Sequence, residues 1–538
     1  MDVTKKAGFV AAAVLAVGAF SAVTVPGRGI VRQEAFGKSG GVLRVQGFPQ
    51  LSPPRLDPAL GDWTFVTQHV FDGLIRMDDN LNIAPDLAEY WQSTDGGKTY
   101  TFFLRKGVRF HNGRELTSAD VKFSFERLLK PETHSPYAPF LVSKVVGAQD
   151  FHEGRAAEVS GFEALSRYIF VIRWRNPYLS APALLSMSFA GVVPKEQVQS
   201  QGRDFFFKPA GTGSFKFGYW LRDPKLNIVG VRLERNDAYF GRKPFLEAVE
   251  YSPHFTLDQF RAGDVDLMPY LWDGLARTGC QILEGGRLNL TYLMVGCSVP
   301  PFDRARVRRA LAWAVDKDRL AQAVVSTSTV RRPTDNFIPD TLPGFFPLLG
   351  PLAGPRPEEA RRILEEEGFF YDKKFPAIVL YLLSPRSDND NRFYRELERQ
   401  LRAVGLTLEL EFYRNLEELR TERRPYLVKV EWEMDFPDPE NIVDQLFSGP
   451  TVYHKVVNRY ESPELEVLFK NALIESGRTR RLGLFQDIQK LLNKDMPAIP
   501  LFTNEQRIAA QPTVRGLKIP VLGLSYLSTR DIWLDRAP

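Results

Sequence analysis

Residues 377–412 read AIVLYLLSPRSDNDNRFYRELERQLRAVGLTLELEF. Ala377 to Leu383 is an unbroken apolar run, the pattern of a strand buried on both faces. Phe393, Leu397, Leu401 and Val404 then recur at helical spacing, and Gly405 ends that helix. Leu406, Leu408, Leu410 and Phe412 alternate with Thr407, Glu409 and Glu411, the period of a half-buried strand. Strand, helix and strand joined by short turns form a βαβ crossover, so two parallel strands are expected. Tyr426 to Trp432 supplies a third strand.

Outward from this unit, Val307, Ala310, Leu311, Ala314 and Val315 make another helical stripe. Pro357 stands in the first turn of a helix that carries Ile363 and Leu364 and closes at Gly368. The N-terminal half is richer in turns. Val42 to Gln46 is a strand after Gly40-Gly41, and Thr99 to Leu104 is β-rich after the hairpin signal Asp95-Gly96-Gly97. Thr117 and Asp120 then open a helix whose core face is Val121, Phe125, Leu128 and Leu129. No internal repeat is present. The class is mixed α/β, and two unlike lobes are a natural arrangement for a cleft.

The chain has 538 residues, enough for two or three domains. Hydrophobic residues are 44% and charged residues 25%, which excludes a mostly disordered or polytopic membrane protein. The net charge of +5 is too mild for a nucleic-acid binder. Aromatic residues are 12%, which suits large buried surfaces or an aromatic-lined cleft. Two cysteines and six histidines, without metal-ligand spacing, exclude Cys-cluster metal sites.

Residues 1–25 read as a signal peptide. Lys5 and Lys6 precede the uncharged stretch Ala7 to Val25, and Ala19-Phe20-Ser21 offers small residues for cleavage after Ser21. An uncleaved membrane anchor is the alternative. Export would place Cys280 and Cys297 in an oxidising space. They flank Leu283 to Val295, which looks like two short strands around Glu284-Gly285-Gly286-Arg287. A disulfide across such a hairpin and two separate buried thiols are both open readings.

Catalytic signatures are not found. Gly96-Gly97-Lys98-Thr99 resembles the end of a phosphate loop, but Gln92 stands where the first glycine is required. Gly211-Thr212-Gly213 lacks the third glycine of a dinucleotide loop. There is no Gly-x-Ser-x-Gly elbow and no His-Glu-x-x-His. His111, beside Asn112-Gly113, reads as a structural turn residue.

Several short blocks become specific when taken together. They are Leu56-Asp57-Pro58, Phe71-Asp72-Gly73-Leu74, the stretch PDLAEYW from Pro85 to Trp91, and DGGKTYTFFLRKGVRFHNG from Asp95 to Gly113. LTSADVKFSF from Leu116 to Phe125, Gly211 to Phe215, and Arg235-Asn236 with Tyr239 follow. Pro301-Phe302-Asp303, VRRALAWAVDKDRL from Val307 to Leu320, WEMDFPDP from Trp432 to Pro439, and Asn458-Arg459-Tyr460 complete the series. In this order they resemble the extracellular solute-binding proteins of ABC importers, the large family with oligopeptide-, dipeptide- and nickel-binding members.

The resemblance implies a two-lobed periplasmic-binding-protein fold of type II with an extra third domain and a ligand cleft between the lobes. Lobe 1 would comprise residues 40–75, 187–278 and 503–538, an accessory domain 76–186, and lobe 2 residues 279–502. The chain would cross between lobes near residues 275 and 503. It also implies a monomeric, periplasmic protein with no cofactor and no catalysis, which docks on the transmembrane subunits of a permease. No nucleic-acid partner is expected, and membrane contact would come only through the permease or an uncleaved anchor.

Peptide-binding members hold the ligand's α-ammonium with an Asp at the position of Asp435. A cation leaving water needs a desolvated carboxylate in return. Asp435 would otherwise be a turn cap before Pro437-Asp438-Pro439. Trp432, with its neighbours Met434 and Phe436, would wall the site. A strand break after Trp432 is expected, so that Asp435 does not simply share the face of Glu431 and Glu433. Lys429 stands where oligopeptide binders carry an arginine for the peptide carboxylate. Tyr270, Trp272 and Gln50 are further candidates for the cleft wall. Competing readings are a non-peptide solute (nickel chelate, haem, oligosaccharide or opine) and an exported hydrolase.

Overall fold

The computed structural model describes residues 37–536 except 48–54, 62, 270–278, 287, 325–328, 343–353, 370–373 and 384–386. The proposed signal peptide and the candidates Gln50, Tyr270 and Trp272 lie outside the described residues.

The βαβ unit forms as its pattern requires. Strand Ile378–Leu383, helix Asp388–Ala403 and strand Leu408–Tyr413 follow one another, and the two strands pair in parallel. Ser387 and Asp390 cap the helix reciprocally, and Phe393, Leu397 and Leu401 are buried against the sheet. Strand Tyr426–Glu433 pairs on the other side of Ile378–Leu383, also in parallel.

These strands are one end of a twelve-stranded sheet. Its path continues through Asn289–Val295 and Ala498–Ala510, then Leu267–Met268, Val42–Gln46, Ala248–Ser252, Ile228–Arg235 and Phe215–Arg222. Two hydrophobic clusters mark its two halves. Val428, Leu380 and Phe393 belong to one, and Leu43, Val249 and Leu233 to the other.

The thirteen-residue strand Ala498–Ala510 joins the halves. Its first part pairs with Asn289–Val295 and its last with Leu267–Met268. Gln281–Gly286 also pairs with it, from Gln281 opposite Ala510 to Gly286 opposite Glu505. Gln281–Gly286 and Asn289–Val295 are thus laid end to end along one long neighbour.

This arrangement replaces the expected hairpin at 283–295. The two short strands do not fold back on each other; each pairs with Ala498–Ala510. Gly285 serves close packing rather than a turn, since a Cβ there would lie 2.6 Å from the Ile519 side chain. The disulfide reading falls for the same reason. No bond joins Cys280 and Cys297. Cys280 packs beside Phe260 and Ala509, whereas Cys297 donates to the Val295 carbonyl near Pro497. They sit at opposite ends of a strand roughly 40 Å long, far beyond disulfide reach. Burial pushes the Cys297 thiol up to about 12.

A separate four-stranded antiparallel sheet lies in the N-terminal half, in the order Ala88–Thr94, Thr99–Leu104, Ile169–Arg173 and Phe162–Ser166. Asp95, Gly96 and Gly97 make its first turn, all three with positive φ. Helix Ser118–Leu129 starts at Thr117, whose backbone N–H donates to Asp120, and lays Phe125 on Phe162 and Phe170.

Candidate functional site

Strand directions locate a cleft. Tyr426–Glu433 and Ala498–Ala510 run the same way, because both are antiparallel to Asn289–Val295. Val42–Gln46 runs the opposite way, because it is parallel to Leu267–Met268, which is antiparallel to Ala498–Ala510. The carboxyl ends of Val42–Gln46 and Tyr426–Glu433 therefore point toward each other across the joining strand. In open α/β sheets, ligands bind at such carboxyl ends.

Asp435 follows the carboxyl end of Tyr426–Glu433. Ladder pairing persists through Glu433, opposite Asn289, and Met434 N–H still donates to the Leu288 carbonyl at 2.8 Å. The chain bends only at Asp435, so the break comes later than expected, beyond Glu433 rather than at Trp432. Short helix Pro439–Val443 comes next. It is capped by Asp438 and opened by Pro439.

That helix carries Asn441, which organises the site. Its Nδ2 donates to Asp435 Oδ2 at 3.0 Å. Its Oδ1 accepts from Trp432 Nε1 at 3.0 Å and from Asp435 N–H at 3.3 Å. Asn441 is 1% exposed, so these bonds fix both candidates in place. Burial raises the Asp435 carboxyl above its ordinary range; the Asn441 bond opposes this and the Glu433 charge adds to it. Among the described residues no lysine, arginine or histidine pairs with Asp435.

Two phenols lie near enough to this carboxylate to feel its charge. Tyr453 meets Trp432 edge-on at 5.3 Å, and the phenol of Tyr453 is raised by burial and then by Asp435. Tyr526, from the segment after the joining strand, feels Asp435 and Glu433 as well. Phe436 packs edge-on against Phe140 at 5.9 Å. Met434 and Phe436 are 3% and 2% exposed, so both are core residues supporting the site.

Lys429 is engaged elsewhere. Its Nζ lies 3.0 Å from Glu431 and 3.4 Å from Asp390, with the Phe393 ring beneath it. Asn441, Tyr453 and Tyr526 were not anticipated from sequence. The capping signature Asp438-Pro439 could have flagged a helix start, and with it Asn441 on the first turn.

A cavity of about 590 Å³ opens beside Tyr526, lined by Asp72, Asp86, Tyr239 and Arg530 among others. Hydrogen bonds link part of its polar lining. Asp72 accepts from Thr212 at 2.8 Å and Tyr239 at 3.3 Å, and Arg530 donates to Tyr239 at 3.0 Å.

Residues 82–453 match the family model of bacterial extracellular solute-binding proteins, family 5. The chain belongs to that family. It is 26% identical over 479 residues to the dipeptide-binding protein of Escherichia coli strain K12, covering 84% of this chain and 86% of that one. Its fold is that of the two-lobed binding proteins. The unliganded open form of the periplasmic murein tripeptide binding protein MppA superposes with a TM-score of 0.77 at 21% identity, covering 92% of this chain and 97% of that one. The periplasmic binding protein DppA from Helicobacter pylori, in complex with peptide STSA, gives 0.73 at 23% identity, covering 93% and 99%.

Proposed function

We propose that this chain is the extracytoplasmic solute-binding component of an ABC importer, and that it encloses a di- or oligopeptide between its two lobes. The peptide's α-ammonium sits on Asp435, and Trp432 and Tyr453 wall the adjoining apolar surface. The protein makes and breaks no bond in its guest; it releases the peptide unchanged to a membrane permease. The signal peptide exports it to the periplasm, where it works as a monomer. Lobe 1 comprises residues 40–75, 187–278 and 503–538, the accessory domain 76–186, and lobe 2 residues 279–502.

The observation that carries this reading is a half-buried carboxylate held by hydrogen bonds with Asn441, with no counter-ion among the described residues. A buried charge without a partner is costly, so it is kept where a ligand supplies the partner. The names of its relatives support a peptide as that ligand. Peptides also present the same backbone groups whatever their side chains, which suits a broad binder.

Calorimetry of the purified protein with short peptides tests the assignment. Asp435→Ala is expected to lose about 2–5 kcal/mol of binding free energy, because it leaves a buried ammonium unpaired. Unchanged affinity removes Asp435 from the site, and hydrolysis of the peptide during titration overturns the reading as a whole.

A further inference from the structure

The cavity beside Tyr526 is built without the part of the chain that carries Asp435. Its described lining comes from residues 68–105, 186–242 and 520–531, and none of it from 279–502. At about 590 Å³ it falls within the range of small-molecule pockets, roughly 300–1,000 Å³.

Two carboxylates and one guanidinium meet at its buried end. Asp72 and Asp86 are 5% and 7% exposed. Asp72 is answered by neutral groups, the hydroxyls of Thr212 and Tyr239. Asp86 has less. A carboxylate can accept about four hydrogen bonds. Asp86 meets the Gly73 N–H, and among the described residues no side chain hydrogen-bonds to its carboxyl and no cation lies within ion-pair distance of it. Arg530 is near enough for both aspartates to feel its charge. Its Nη2 is engaged by the Tyr239 hydroxyl, and its Nε is buried with no partner. Burial raises both carboxyls, and the charge of Asp72 raises Asp86 further.

The less buried charges of the lining have contacts of their own. Arg242 pairs with Asp531, and Lys518 reaches Asp79 at 3.8 Å. Asp78 is capped by Asn80 and Asn82, Arg105 Nε donates to the Asp86 backbone carbonyl at 2.8 Å, and Arg76 is exposed. The buried end is left with three unmet needs. It has one negative charge in excess, an acceptor short of donors in Asp86, and a donor without an acceptor in Arg530 Nε. Native proteins rarely bury such groups unanswered, and those that remain call for an explanation. Phe71, Met187 and Phe240 add apolar surface to the same lining.

An occupant that meets all three needs carries an ammonium for Asp86, a hydroxyl oxygen for Arg530 Nε and a compact carbon body. The ammonium also offsets the repulsion between the two aspartates, so that both keep their charge away from water. We propose that this cavity binds a small hydroxylated amine, with its ammonium on Asp86 and a hydroxyl on Arg530. The proposal stands apart from the peptide reading, because Asp435 takes no part in it.

Calorimetry of the purified protein with glucosamine, glucose and cyclohexylamine is the test. Glucosamine carries both groups, glucose lacks the ammonium, and cyclohexylamine lacks the hydroxyls. Glucosamine is expected to bind at least about ten-fold tighter than either of the others. Asp86→Asn should bring glucosamine down to the level of glucose, with an unfolding midpoint no lower than wild type. Asp435→Ala should still bind glucosamine as the wild-type protein does. Equal affinity of the wild-type protein for glucosamine and glucose overturns the proposal without requiring any variant. So does a failure of all three compounds to bind, which leaves water as the occupant. Cyclohexylamine binding as tightly as glucosamine overturns the role of Arg530. Glucosamine binding that survives in Asp86→Asn, or that is lost in Asp435→Ala, places the amine elsewhere and overturns the site.

Discussion

Asp435, half-buried, and Glu440, buried, are five residues apart and placed on the two sides of one short bend. Glu440, 0% exposed, is fully matched. Lys144 pairs with it, the Ser180 hydroxyl donates to it at 2.6 Å, and Arg481 stands 3.8 Å away. Burial alone would lower Lys144, but Glu440, Tyr178 and Asp444 together outweigh it and hold the ammonium above its ordinary range. Among the described residues Asp435 has Asn441 and no cation. One carboxylate is answered within the fold; the other, among the described residues, is not. The two are mechanically joined, because Glu440 and Asn441 are neighbours on one helical turn. Lys144 and Ser180 come from residues 76–186, so the contact that seats these residues also positions Asp435 through Asn441.

The comparison breaks most sharply at Lys144. Lys144→Met strips a buried anion of its partner and is expected to lower folding stability by about 3–5 kcal/mol, as read by denaturant unfolding. An unfolding midpoint equal to wild type would show that Glu440 is no better matched than Asp435. Asp435→Asn should do the reverse. It removes an uncompensated charge and keeps a hydrogen-bonding group, so the empty protein should be no less stable and should gain up to about 1 kcal/mol near neutral pH. A clear loss of stability would mean that Asp435 has a structural partner.

A smaller effect concerns pH. The folded-state pKa of Asp435 is raised, so the folded protein holds this proton more tightly than the unfolded chain. Its contribution to stability is present below the ordinary carboxylate value and is lost as pH rises through the raised value. An arriving ammonium reverses the preference, so peptide binding should release a proton in that window and tighten as pH rises through it. Calorimetry in buffers of different ionisation enthalpy measures the proton count; no release in the Asp435 window would argue against the assignment.

The fold was legible where one rule governed each segment. Residues 378–382 of the apolar run and the helical stripe from Phe393 to Leu401 could bury themselves in only one way, and they did. Gly285-Gly286 misled because glycine serves two purposes, and here it admits the Ile519 side chain instead of turning the chain. Asp435 was legible only through a resemblance, since its setting depends on the hydrogen bonds with Asn441.

The central claim is that a ligand's amino group completes the charge of Asp435. The most direct measurement compares one peptide with its N-acetylated form on the wild-type protein by calorimetry. The account predicts that the free amine binds and that acetylation weakens binding by roughly a hundred-fold or more. Equal affinity of the two forms would contradict it.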